Sequence, residues 1–198
     1  MKGVTNMKRI IYFGAMLALT IFVSNGFAQN TMNSSDGKMQ ASGKKNSDSK
    51  FMMMAAMSDM NEIGLSNQAL SKSTNDDVKN LAQMMVADHT KASEELKPLA
   101  MGKDVMLMTD MDAKHKAAME KMNSMSGSAF DMAYVKMMVK DHEKAVSMFQ
   151  KEAASGKDAD AKAFAAKTLP TLQMHLDMSR TMMSKMMGNK SGDKMNGM

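Results

Sequence analysis

Apolar and polar side chains follow a helical period along most of residues 51–187. From Phe51 to Ala69, apolar or small residues recur every three or four positions, which is the spacing of one face of an α-helix. Similar stripes recur further along the chain, and no segment shows the sustained alternation of a strand. The pattern predicts an all-α protein with five helices, which begin near Phe51, Asn75, Thr109, Ser128 and Asp158.

Capping residues refine the ends of these helices. Thr74 or Asn75 is the candidate N-cap of the second helix, because the two aspartates that follow suit the positive end of its dipole. Thr109 and Asp112 resemble a capping box at the start of a short third helix. Pro98 is expected to end or kink the second helix, and Pro170 is expected to kink the fifth.

The first 28 residues are typical of a secretory signal peptide. A basic pair, Lys8 and Arg9, precedes an uncharged and mostly apolar run that ends at Val23, and small residues at Gly26 and Ala28 then suit cleavage. The run is shorter than the roughly 20 apolar residues that span a bilayer, so we expect no permanent membrane anchor. The mature protein is expected in a bacterial periplasm or outer envelope, or secreted.

The mature chain divides into a folded domain and two polar ends. Residues 29–50 and 188–198 lack an apolar period, which predicts a disordered tether and a disordered tail around a bundle domain at 51–187. The chain contains no cysteine, which excludes disulfides, thiolate metal sites and thiol nucleophiles. Three of the positive charges behind its net charge of +5 lie in the signal peptide, and the rest are dispersed, so no nucleic-acid partner is expected.

An internal repeat carries the most distinctive polar residues. The nine residues from Met84 to Ala92 match those from Met137 to Ala145 at seven positions, and each copy contains an Asp-His pair. Either a duplication of one helical unit or the independent use of the same residues for the same packing would explain the match. The two pairs are Asp88-His89 and Asp141-His142.

The four histidines of the chain lie on or beside the apolar stripes of four different predicted helices. At about 1.5 Å of rise per residue, three of them and Glu62 fall at similar depths below the connecting turns. Because bundles build metal sites from inward imidazoles and carboxylates, the candidate ligands are Glu62, His89, His142 and His175, with Asp88, Asp141, Asp112 and His115 as supporting or alternative ligands. The alternative is a set of hydrogen-bonded polar layers, without a metal, that fixes the register of the helices.

Methionine is unusually frequent, with 31 residues in the chain. Methionine is a flexible core residue and can replace leucine, but several adjacent pairs cannot all point into a core. Soft thioethers select Cu(I), so copper, or silver, is a candidate ion, and oxidant scavenging is an alternative. The candidate soft-metal stripe, beside His175, consists of Met174, Met178, Met182 and Met186.

The ordered motifs over residues 51–180 resemble those of the bacterial DUF4142 family, a domain of unknown function. The matching elements include Glu62, Val86-x-Asp88-His89, Asp112-x-x-His115, Met138-Val139-x-Asp141-His142 and Leu169-Pro170-x-Leu172-x-x-His175. The resemblance implies an exported ferritin-like four-helix bundle, here with a short extra crossover helix, that is often labelled an outer-membrane protein. It implies no established activity, and this chain departs from the family in carrying methionine at many leucine and valine positions.

Two classes of function remain. In the first, an exported envelope protein binds a soft metal such as copper through methionine and histidine, in a stress or metal-handling role. In the second, a structural or partner-binding periplasmic bundle holds no metal. We expect no enzyme, because a ferritin-like di-metal oxidase needs two inward Glu-x-x-His pairs and the chain contains no Glu-x-x-His at all.

Overall fold

The computed structural model describes residues 47–195, with side chains described as far as Gly188. This part of the chain contains α1 (Ser47–Lys72), α2 (Asp76–Met101), α3 (Ala113–Asn123), α4 (Gly127–Ser155) and α5 (Ala159–Met195), and no strand. The all-α prediction is therefore confirmed. Within the same range, no helix is both long enough and apolar enough to cross a membrane. The predicted signal peptide and most of the predicted tether lie outside the described residues.

The bundle extends beyond both of its predicted ends. α1 begins at Ser47, inside the predicted tether, because Asp48 in its first turn is buried and accepts a hydrogen bond from the backbone N–H of Lys157 at 3.0 Å. α5 continues to Met195, through most of the predicted tail. These tail residues are polar, but they contain no proline that would break the helix, so α5 continues through most of them.

Asparagine and aspartate side chains cap α2 and α3, and both prolines lie inside helices. Asn75 is the N-cap of α2, and its side chain accepts from the N–H of Asp77 and of Val78, as predicted. Asp112 rather than Thr109 caps α3, because its carboxylate accepts from the backbone N–H at the third position of the helix. Neither proline ends its helix: α2 runs past Pro98 to Met101, so the helix end predicted there as one alternative is wrong, and α5 runs through Pro170 to Met195.

The connection between α2 and α4 returns along the length of the bundle. A three-residue turn joins α1 to α2, which therefore pack as an antiparallel hairpin. The side chain of Asn61 donates to Asp112 and that of Gln68 donates to the carbonyl of Met119, both at 2.9 Å. The later residue of α1 contacts the later residue of the α3 segment, so α3 runs parallel to the second half of α1. It therefore returns the chain to the end of the bundle where α2 began.

α5 runs antiparallel to both α2 and α4. Lys167 donates to Glu95 at 2.7 Å and Lys185 donates to Asp77 at 2.5 Å. The later residue of α5 thus contacts the earlier residue of α2, which means that the two helices run in opposite directions. A short turn also makes α4 and α5 antiparallel neighbours. α2 and α4 are therefore parallel and joined by one long crossover, which is the connection of ferritin-like bundles.

The interior consists of two apolar cores separated by a layer of ionisable side chains. The first core, at the end where α1 begins, includes Phe51, Met52, Ala55, Leu96, Phe149, Phe164 and Leu172. The second core, at the opposite end, includes Leu65, Val78, Leu81, Met85, Phe130, Tyr134 and Met138. Between them lies the central layer, whose buried members are Asp59, Glu62, His89, Asp141, His142 and His175. Such groups are costly to bury unless they are paired, so the central layer marks the candidate functional site.

Candidate metal centre

Three imidazoles from three helices converge at the centre of the bundle. His89 on α2, His142 on α4 and His175 on α5 are at most 3% exposed. Nε2 of His142 lies 3.4 Å from Nε2 of His89 and 3.2 Å from Nδ1 of His175. One nitrogen from each ring thus faces the other two, and among the described residues these three are the group of potential ligands that lie within 4.8 Å of one another.

The opposite nitrogen of each ring faces a carboxylate or backbone carbonyl oxygen, which accepts a hydrogen bond from it. Nδ1 of His89 donates to Oδ1 of Asp59, Nδ1 of His142 donates to the carbonyl of Met138, and Nε2 of His175 donates to Oδ2 of Asp88, each at 2.9 Å. In a neutral imidazole only one nitrogen carries hydrogen, so these three contacts place the lone pairs on the converging nitrogens. The same arrangement orients metal-binding histidines in proteins generally.

The Asp-His repeat distributes its carboxylates to other helices. Asp88 precedes His89 in the chain but orients His175 across the interface between α2 and α5. Asp141 precedes His142 but accepts a hydrogen bond from Nε2 of His115 at 3.0 Å. Adjacent residues on a helix project about 100° apart, so neither aspartate can reach the ring of its own neighbour. The prediction that aspartate orients a histidine of a neighbouring helix is confirmed for Asp88.

Glu62 belongs to the central layer but not to the converging group. Its Oε1 lies 3.8 Å from Nδ1 of His142, which is the nitrogen that points away from the other two rings. Its Oε2 has no hydrogen-bond partner among the described residues. Burial raises the pKa of Glu62 to about 8; the nearby His89 opposes the rise, while Asp141 and Asp59 add to it. Glu62 is therefore buried as predicted, but the structure separates it from the candidate ligand atoms.

The three rings differ in how readily they take up a proton. Burial, together with the neighbouring charges of His89 and His175, lowers the pKa of His142 to about 3. Burial also lowers the pKa of His175, although the hydrogen bond to Asp88 partly offsets it. Burial is the largest single influence on His89 and lowers its pKa, but the hydrogen bond to Asp59, together with the negative charges of Asp59, Glu62 and Asp88, outweighs it, so the pKa of His89 is raised. His142, whose Nε2 contacts both of the other rings, is therefore the least able to carry a proton.

His115 and its two aspartates form a separate polar latch. Nδ1 of His115 lies 2.6 Å from Asp112 and Nε2 lies 3.0 Å from Asp141, so neither nitrogen of this ring has a free lone pair to offer. Although partial burial works against it, hydrogen bonds from His115 and Asn61 hold the pKa of Asp112 at about 2. The latch ties α3 to α1 and α4. The predicted supporting ligands His115, Asp112 and Asp141 therefore contact one another. Among the described residues, they make no hydrogen bond with the three converging nitrogens.

The predicted methionine stripe on α5 does not assemble with His175. Met174 and Met178 are 44% and 42% exposed, whereas Met182 and Met186 are partly buried against the second core. His175 is fully buried, and each of its ring nitrogens already has a polar neighbour. The structure therefore shows no contact between the stripe and His175 among the described residues, and the soft-metal stripe stays a prediction.

Asp59 and the carbonyl of Met138 are the site groups that the sequence did not reveal. Asp59 lies three residues before Glu62 and so shares its inward face on α1. A carboxylate on an apolar stripe is the pattern by which Asp59 could have been found. A backbone carbonyl has no such pattern, because every residue carries one.

The fold and the site together define a ferritin-like bundle with a buried three-histidine cluster. The profile of the DUF4142 family, a domain of unknown function, matches residues 33–182. The chain therefore belongs to the DUF4142 family, as its motifs predict. Among curated proteins, no significant match is found.

Solved structures of low sequence identity share the fold. A DUF305 fragment from Deinococcus radiodurans aligns with a TM-score of 0.64 at 11% identity, over 71% of this chain and 97% of that one. A DUF305 protein from Streptomyces coelicolor, described as secreted, gives 0.62 at 12% identity, over 71% and 92%. CopM in its Cu(II)-bound form gives 0.60 at 17% identity, over 70% and 96%. At these identities the similarity shows a shared fold.

Proposed function

We propose that this bundle binds one copper ion through Nε2 of His89, Nε2 of His142 and Nδ1 of His175, and that it handles copper in the cell envelope rather than acting as an enzyme. The observation that carries the proposal is the convergence of three ring nitrogens, with His142 Nε2 lying 3.4 Å from His89 Nε2 and 3.2 Å from His175 Nδ1. Lone pairs at such distances repel one another unless a cation lies between them.

A single proton satisfies this arrangement less well than a metal ion does. If the raised pKa of His89 places a proton on its Nε2, that ring can donate to Nε2 of His142. The one lone pair of His142 is then used, and Nδ1 of His175 still faces it at 3.2 Å without a hydrogen between them. A second proton would place two buried positive rings side by side. One metal ion accepts all three lone pairs at once.

The chemistry of the ligands favours copper among the transition metals. Imidazole suits copper, zinc, nickel and iron, and divalent copper has the highest affinity of the first-row series. The candidate ligand set contains no carboxylate oxygen and the chain contains no thiolate. CopM, which shares the fold, has a Cu(II)-bound form, and this supports copper without assigning the same ligands.

The burial of the centre supports sequestration rather than catalysis. Each ligand ring is at most 3% exposed, and apolar cores lie on both sides of the central layer. An ion held there is separated from water and from external substrates, which suits storage or transfer. The predicted signal peptide supports placement in the envelope, and the secreted description of one structural relative is consistent with it.

A competition titration with a Cu(II) chelator tests the proposal. The wild type should bind one equivalent, and His142→Gln should bind more than about 100-fold more weakly, because it loses a direct ligand rather than an outer partner. His115→Gln is the matched control, since it also replaces a buried histidine but leaves the three rings intact. A folded wild type that binds no copper would favour the metal-free structural bundle instead.

A further inference from the structure

A small pocket opens between α1 and α4 beside the three-histidine centre. Its volume is about 140 Å³, and it extends from exposed side chains at its rim to the buried Glu62. Three methionines line it: Met54 and Met57 on α1 and Met148 on α4. Residues 54 and 57 are three positions apart and so share one face of α1. Thioethers from two helices therefore surround one cavity.

Core packing does not account for all of these methionines. Met52, only two positions before Met54, is 1% exposed and belongs to the first core, whereas Met54 is 40% exposed. Met57 and Met148 are partly buried. All three side chains border the cavity, although Met148 also packs against the first core.

The inner end of the pocket carries an unsatisfied acceptor. Glu62 lines the pocket and is 2% exposed, and its Oε2 has no hydrogen-bond partner among the described residues. Its other oxygen lies 3.8 Å from His142. Glu62 therefore stands between the methionines and the histidine centre, and it places a carboxyl oxygen without a partner at the inner end of the pocket. The positive charge of Lys144 at the rim is already paired, since its Nζ lies 2.6 Å from Asp141.

We propose that this pocket is a second metal site, which takes a soft monovalent cation, Cu(I) or Ag(I), through the thioethers of Met54, Met57 and Met148. Thioethers are soft, neutral ligands that select Cu(I), and in a chain without cysteine they are the soft donors at hand. The site is also the entrance through which copper reaches the histidine centre. This second role rests on the proposed function, whereas binding in the pocket does not.

An Ag(I) titration of the full chain tests binding. The variant Met54→Leu/Met57→Leu/Met148→Leu should lose one equivalent of bound Ag(I) relative to the wild type. The control Met101→Leu/Met174→Leu/Met178→Leu, which removes three exposed thioethers elsewhere, should lose none. Unchanged stoichiometry and affinity in the pocket variant, or an equal loss in the control, would overturn the site. Zn(II), which is less soft, should not displace the pocket's Ag(I).

A second measurement needs no substitution at the methionines. In His142→Gln, one equivalent of Cu(I) should enter the pocket, and its X-ray absorption spectrum should show sulfur neighbours. Nitrogen and oxygen neighbours alone would refute the pocket. Failure of the proposed function gives a different result, because His142→Gln would then bind the same number of copper ions as the wild type.

The entrance role has its own test, which is the rate of copper loading. The pocket variant should load the histidine centre more slowly at unchanged equilibrium affinity, and an unchanged loading rate would refute that role.

Discussion

Oδ1 of Asp59 lies 2.9 Å from Nδ1 of His89, a residue thirty positions further along the chain on the neighbouring helix. The contact fixes which nitrogen of His89 faces the other two rings. Asp59 therefore does for His89 what Asp88 does for His175 and what the carbonyl of Met138 does for His142. The centre depends on these three oxygens as well as on the three histidines.

Removal of Asp59 should weaken copper binding without removing a ligand. In Asp59→Ala, Nδ1 of His89 loses its acceptor, so the ring is free to reorient and loses basicity. Outer partners of this kind typically contribute about 10–100-fold in metal affinity, and we expect a loss of that size. The measurement is a copper competition titration, with the exposed Asp177→Ala as control. Equal affinities of Asp59→Ala and the wild type would contradict the orienting role.

The hydroxyl groups of Ser66 and Tyr134 form a buried hydrogen bond at 2.9 Å between α1 and α4. Tyr134→Phe should lower the free energy of unfolding by about 1–3 kcal/mol, because it leaves the Ser66 hydroxyl buried without a partner. The double variant Ser66→Ala/Tyr134→Phe should lose less than the sum of the two single variants. Urea denaturation of the four proteins measures this coupling, and strictly additive losses would show that the two hydroxyls do not stabilise each other.

Glu152 should make the stability of the bundle depend on pH. It is 6% exposed, and burial, together with its hydrogen bond to Asp48 and that residue's charge, raises its pKa from 4.5 to about 7. The folded state therefore holds this proton more tightly than the unfolded state. The resulting stabilisation is complete below about pH 4.5 and is lost as the pH rises through about 7.

Glu152→Gln mimics the protonated side chain and should remove this part of the pH dependence. Relative to the wild type, the variant should gain stability between pH 4.5 and pH 8, measured by urea denaturation at both values. The difference between the two proteins isolates Glu152 from Glu62, whose pKa is also raised. The exposed Glu120→Gln serves as control. A wild-type-to-variant difference that stays constant with pH would contradict the shifted pKa.

The helical period predicted the interior of the bundle well, because inward faces repeat along the sequence. It placed Glu62, His89, His142 and His175 inside, and all four are buried. What it could not supply was the partner of each side chain. The contact between Asp59 and His89 depends on the register between two helices, and a single helix carries no record of that register. The same limit explains why His115 was predicted beside the centre and lies in a latch instead.

The methionines show where periodicity fails. An i, i+4 stripe indicates one face of a helix but not what that face contacts, and Met174 and Met178 face solvent. The pocket methionines lie on two helices that are far apart in sequence, so no local pattern joins Met54 and Met57 to Met148. Only the packing of α1 against α4 brings them together.

The most direct test of the copper centre is a count of the imidazole nitrogens on the bound ion. Pulsed electron paramagnetic resonance of the wild type with one equivalent of Cu(II) detects the outer nitrogen of each coordinated ring. We expect three coordinated imidazoles in the wild type, two in His142→Gln and three in His115→Gln. A spectrum of Cu(II) without coordinated imidazole in the wild type, or one that His142→Gln leaves unchanged, would contradict the three-histidine centre.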